Sequence, residues 1–108
     1  MAKKDKFTNL KNILKQINIP LAYDHFKSDK KVTPPFMAYR ELKPDIFNAD
    51  SKVYHTFLNF EIELVTEKKD VDLEERIEEL LTNNNISYIK DDDVWDEDEK
   101  IFHIFYEL

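Results

Sequence analysis

The chain contains no cysteine and no glycine. The first absence excludes zinc ribbons, thiol catalysis and a disulfide-stapled secreted fold, and leaves the redox compartment unconstrained. The second removes the P-loop, the dinucleotide fingerprint and the kinase glycine loop together, because each needs glycine where backbone approaches phosphate. Turns with positive φ must then fall to Asn or Asp. Asn48 and Asn83-Asn84-Asn85 are the expected positions. No apolar run approaches the roughly 18 residues of a spanning helix, so no membrane partner is expected. The Met1–Lys6 start is basic, but Phe7–Ile17 is amphipathic rather than continuously apolar. No signal peptide is expected, and the expected location is cytoplasmic.

What is present suits one domain, residues 1–108. The 108 residues are 42 % hydrophobic, with eight Phe, five Tyr and one Trp, enough for a single core without metal or disulfide. Net charge is −7, unevenly spread. Residues 1–40 hold nine basic and three acidic side chains, a net of +6, while residues 41–108 hold seven and twenty, a net of −13. Duplex binding wants a basic face, so no specific nucleic-acid binding is expected of the acidic bulk. The basic segment reads either as a solvated helix face and tail or as a contact for a phosphate or an acidic protein.

Phe7, Leu10, Ile13, Leu14 and Ile17 recur at helical spacing and predict an amphipathic helix that Pro20 ends. Ile19 to Phe26 reads as extended chain, and Phe36-Met37-Ala38-Tyr39-Arg40 as a short strand behind Pro34-Pro35. Val53 to Val65 is the strongest strand. Period two puts Tyr54, Thr56, Leu58, Phe60, Ile62 and Leu64 on a core face, with His55, Phe57, Asn59, Glu61 and Glu63 opposite. A second helix runs from about Asp70 to Thr82. Asp70 or Asp72 caps it, with Glu75 placed for a capping box, and Leu73, Ile77, Leu80 and Leu81 form its buried stripe. Glu74, Glu75, Glu78 and Glu79 cover the wet side. Ile86 to Lys90 reads as a strand, Asp91–Glu99 as a loop, and Lys100 to Leu108 as a closing strand. The predicted fold is α+β: one mainly antiparallel sheet of about four strands with two amphipathic helices, in the order α-β-β-α-β-β.

Few residues carry chemistry. His25, His55 and His103 show no metal-ligand spacing. His55 and His103 share the non-core face and, with Glu61 or Glu63, offer a metal site or an acid–base pair; ordinary exposed or interface histidines are the favoured reading. No catalytic residue, metal ligand or cofactor is assigned. Asp91, Asp92, Asp93, Asp96, Glu97, Asp98 and Glu99 put seven carboxylates in nine residues, without the ligand alternation and glycine of a calcium loop. A solvated tip is the favoured reading, with a weak ion site, a contact for a basic partner or the lining of a lumen as alternatives. Trp95 interrupts the run, either tucked onto the sheet edge or exposed as an anchor. On the second sheet face Phe57, Ile101 and Phe105 alternate with His55 and His103. Such a mixed patch marks a subunit interface, unless the first helix covers it and makes a three-layer fold.

The order of the pieces carries a resemblance. An amphipathic helix leads into Ile19-Pro20-Leu21-Ala22-Tyr23, then Pro34-Pro35-Phe36-Met37-Ala38-Tyr39 and Asn48-Ala49-Asp50 with Val53-Tyr54. Then come Glu61-Ile62-Glu63-Leu64-Val65-Thr66-Glu67-Lys68-Lys69-Asp70, an acidic helix with Leu80-Leu81, and the closing Phe105-Tyr106-Glu107-Leu108. Over nearly its whole length the chain resembles the small tail-component proteins, tail-terminator or tail-completion proteins, of long-tailed phages and prophages of Gram-positive bacteria. That resemblance implies an α+β subunit that forms a ring, commonly a hexamer, capping the tail tube and joining it to neck and connector proteins. It implies a location in the host cytoplasm during assembly and afterwards in the virion tail, and no catalytic residues. A head-closure or neck protein is the near competitor within this reading. An acidic inhibitor or DNA mimic using Asp91–Glu99 and the glutamates of the second helix, and a small metal enzyme using His55, His103 and Glu61, are the other classes.

Overall fold

A computed structural model describes residues 3–26, 32–42 and 60–108. Helix α1 (Lys3–Leu14) tightens into a 3-10 turn, Lys15–Ile17. Asn18 then stops it in the left-handed region, φ 64°, with its N–H on the Lys15 carbonyl at 3.1 Å. Leu10, Leu14 and Ile17 are buried and Lys11 and Lys15 exposed, as the spacing predicts. Helix α2 (Val71–Asn83) is capped by Asp70, whose Oδ1 accepts the Leu73 N–H at 3.1 Å. Asp70 holds the N-cap position, so Asp72 and Glu75 lie inside the helix instead of forming a capping box.

The strands are β1 (Leu21–Tyr23), β2 (Phe36–Glu41), β3 (Phe60–Thr66), β4 (Ile89–Lys90), β5 (Val94–Asp96) and β6 (Ile101–Glu107). The sheet order is β1-β2-β3-β6-β4, with β5 also on β6. β1 runs parallel to β2, and the other pairings are antiparallel. The α+β class is therefore as expected, but the described sheet is mixed, has six strands, and departs from the order α-β-β-α-β-β. One added strand, β1, is the segment read as extended chain. The other, β5, lies inside the acidic segment expected to be a loop. Its hairpin closes because Asp96 is a turn former: its Oδ1 accepts N–H bonds from Asp98 at 3.0 Å and Glu99 at 3.1 Å. Lys100 completes the turn at φ 59°, a left-handed position the sequence would assign to Asn or Asp. Asn18, Asp24 and Asn85 follow that rule. Asn48 lies outside the described residues.

Both helices pack on one side of the sheet. Leu10, Leu14 and Ile17 join Leu73, Ile77 and Leu81 in one cluster with Phe60, Ile62, Leu64, Ile104 and Tyr106. Period two thus assigns the core face of β3 at Phe60, Ile62 and Leu64, although Val65 on the other face is buried too, Leu80 is only half-buried, and Tyr54, Thr56 and Leu58 lie outside the described residues. The expectation that α1 might cover the second face is overturned: Phe7 packs edge-on against Phe60, 5.0 Å between ring centres, and 5.4 Å from Tyr23. Helix α1 therefore overlies the β1 end of that face, while α2 reaches its β4 end through Glu78, which accepts from Tyr106 at 2.7 Å and Lys90 at 3.0 Å.

Candidate functional site

The sheet face over which no helix lies among the described residues, the helix-free face, carries a ladder of charges across successive strands. The register places Arg40 opposite Glu61 and Ala38 opposite Glu63. Arg40 donates to Glu61 at 2.7 Å, to Glu63 at 2.9 Å, and to the side chain of Asp24 at 3.1 Å just beyond β1. Burial works against the guanidinium, but Glu63 and Glu61 outweigh it and hold its pKa above the usual range. Hydrogen bonds from His25 and Arg40 hold the Asp24 carboxyl below its usual range. On β6, Nδ1 of His103 lies 2.6 Å from the second Glu63 oxygen, and its Nε2 is 3.9 Å from Asp96 on β5. The ladder thus runs Asp24, Arg40, Glu63, His103, Asp96 across five strands or strand ends.

Apolar groups flank it. Phe105 stacks nearly parallel to His103, with ring centres 6.3 Å apart, and Ile101 sits opposite Asp96. Both are half-buried. His103 and Glu63 therefore meet as the sequence suggests. Glu61 turns instead to Arg40, while His55 and Phe57 lie outside the described residues. Among the described residues no three His, Asp or Glu side chains gather as metal ligands. The ladder alternates donors and acceptors, an arrangement that fixes strand register and offers a polar centre to a docking surface.

The acidic run is divided in its use. Asp93 pairs with Lys69 at 2.7 Å. Asp96 holds the turn, and Glu97 accepts from Lys100 and, at 2.6 Å, from the indole N–H of Trp95. Lys100 and then Trp95 hold the Glu97 carboxyl below its usual range. Asp91, Asp92, Asp98 and Glu99 are exposed. Trp95 sits on edge strand β5, its ring 4.7 Å from Phe102, yet remains 43 % exposed. It is both an edge residue and partly open to a partner.

Sequence reasoning missed two groups. Arg40 carried no spacing signal, because its role depends on strand register. Glu74, expected on the wet side of α2, is 2 % exposed. It is covered because Lys90 of β4 reaches it at 2.6 Å and Lys69 at 2.9 Å. Asp93 and then Glu74 raise the pKa of Lys69. Burial opposes the Lys90 charge, yet Glu74 and Glu78 raise its pKa. Burial and then Glu78 push the Tyr106 phenol far above its usual range. This cluster ties β4 and the acidic edge to α2. Nearby, two open grooves at the C-terminal end of α2 are lined by Glu78, Thr82, Asn83, Asn85 and Tyr88.

Among the described residues no helix is long and apolar enough to cross a membrane. The chain matches no family model, no curated protein and no solved structure.

Proposed function

We propose that this protein is a structural assembly subunit whose work is done by surfaces, in the manner of the phage tail-terminator proteins it resembles. It would form a homo-oligomeric ring at the head-proximal end of a tail, contacting tail-tube and neck proteins. The observation that carries this reading is the helix-free sheet face. Ile101 and Phe105 lie there half-buried around the Arg40–Glu63–His103 ladder, with no described helix over them. A mixed apolar and hydrogen-bonding patch on a small domain is interface chemistry. The charge division supports it: on the same sheet face, lysine-rich α1 overlies the β1 end and glutamate-rich α2 the β4 end. A ring needs head-to-tail contacts in which one patch meets a different patch on the neighbour.

The DNA-mimic reading draws less support, because Asp93, Asp96 and Glu97 are engaged by the chain's own groups. The test is sedimentation of the parent beside Phe105→Asp. The parent is expected to assemble and the variant to remain a folded monomer. Equal assembly of both would remove the helix-free face from the interface.

A further inference from the structure

We propose that neighbouring subunits join edge to edge, the β4–β5 edge of one copy adding to the β1 edge of the next so that the sheet continues from subunit to subunit. This rests on the ring reading and specifies its contact.

Exposure points to the edges. Five large hydrophobics are exposed among the described residues: Tyr23, Val71, Ile89, Val94 and Trp95. Four of them lie on the outer strands, Tyr23 on β1 and Ile89, Val94 and Trp95 on β4 and β5. Ile89 is 66 % exposed and Val94 51 %. Edges of soluble sheets are ordinarily blunted by charge, proline or cover, since their open N–H and C=O groups template another strand. Here the outer strands carry exposed apolar side chains beside their charges. Among the described residues no strand pairs with the outer side of β1 or of β5.

Strand direction fits. β1 and β2 share one sense, β3 reverses it, β6 restores it, and β4 and β5 reverse it again. The two outer edges therefore run in opposite senses. A rotation that lays one copy beside the next keeps each sense, so β5 meets the neighbouring β1 antiparallel, the better hydrogen-bonded pairing.

Charge selects this pairing over a two-fold contact of like edges. Exposed Asp91, Asp92, Asp98 and Glu99 flank β5, and lysine-rich α1 lies over β1. Joining β5 to β5 would oppose like charges, whereas joining β5 to β1 brings the carboxylates toward lysine-rich α1, with Asp24 beside β1 already engaged by Arg40 and His25. Val94 and Ala22 would then share the helix-free face, since Val94 is registered with His103 and Ala22 with Ala38. Ile101 and Phe105 adjoin that seam.

Because the chain has no cysteine, thiol cross-linking is clean. The variants are Ala22→Cys, Val94→Cys and the double, treated with a short bismaleimide that tolerates a shift of register. Ala22→Cys with Trp95→Cys is the opposite-face control. Circular dichroism checks folding, and sedimentation of the parent reports assembly. The double Ala22/Val94 variant is expected to give a covalent series of oligomers, with neither single variant nor the control doing so. Dimers from Val94→Cys alone would establish a like-edge contact and overturn the proposal. An assembling parent whose double variant stays uncross-linked would overturn the edge contact and leave the ring. A parent that never assembles would remove both.

Discussion

Nδ1 of His103 lies 2.6 Å from Oε2 of Glu63, although the register places His103 opposite Val65 and Glu63 opposite Phe105. The contact is a diagonal across β3 and β6. A carboxylate only accepts, so Nδ1 is the protonated ring nitrogen, and Glu63 keeps its other oxygen for Arg40. One carboxylate thus joins β2 to β6 through β3.

Arg40→Lys is expected to weaken this junction more than charge alone suggests. A guanidinium serves Glu61, Glu63 and Asp24 at once from a planar fork, which an ammonium cannot match. A loss of about 1–2 kcal/mol is expected from the forfeited charge-assisted bonds. Urea denaturation measures it; a change within error would make the ladder energetically idle.

The two faces of the sheet predict different costs. Phe60 is 2 % exposed and packs against Phe7, so Phe60→Ala is expected to cost about 3–5 kcal/mol. Ile101→Ala, on the helix-free face, is expected to cost clearly less in the isolated subunit. Denaturation of both variants checks this, and equal costs would contradict the facial assignment.

Breaking the cluster at α2 is the third case. Lys90→Met leaves buried Glu74 with Lys69 as its remaining ion-pair partner and takes a donor from Glu78. A loss of about 1–3 kcal/mol is expected. A double-mutant cycle with Glu74→Gln should return a coupling energy well above that of an exposed pair.

This cluster, together with buried Tyr39 on β2, sets an alkaline limit. The folded-state pKa values of Tyr39, Lys69, Lys90 and Tyr106 are raised from ordinary values of 10.0 for the tyrosines and 10.5 for the lysines. Groups whose pKa is raised by folding stabilise the protein below the unfolded value and lose that contribution as pH climbs through the folded one. Stability should hold to about pH 10 and fall beyond it, with tyrosinate absorbance rising together with unfolding. Tyrosinate formation complete before unfolding would show that burial and Glu78 do not hold the Tyr106 phenol protonated.

Part of this was legible from residue spacing. The alternation Phe60, Ile62, Leu64 names a core face because, among the described residues, only one side of β3 meets helices, and the stripes of α1 and α2 follow from 3.6-residue periodicity. Val94-Trp95 was hidden because carboxylates on both sides swamp two apolar residues. Glu74 looked solvated because its cover comes from Lys69 and Lys90, outside its own helix. The Arg40 ladder and the parallel β1 depend on which strands pair, which local pattern does not encode. His103 with Glu63 was legible only as shared membership of one face.

The assembly reading predicts a salt effect. Rim charges chiefly govern association rate and register, and buried apolar anchors chiefly govern lifetime. Raising salt to 1 M, where the Debye length is about 3 Å, should slow assembly of the acidic edge with the lysine-rich one. Light scattering after dilution follows the rate. An unchanged rate would assign the exposed carboxylates to solubility alone.

Sedimentation velocity of the parent across a wide concentration range tests the central claim most directly. The account predicts that monomer gives way to one discrete closed species, and that Phe105→Asp stays a folded monomer throughout. A parent that remains monomeric at every concentration, or a variant that assembles as the parent does, would contradict it.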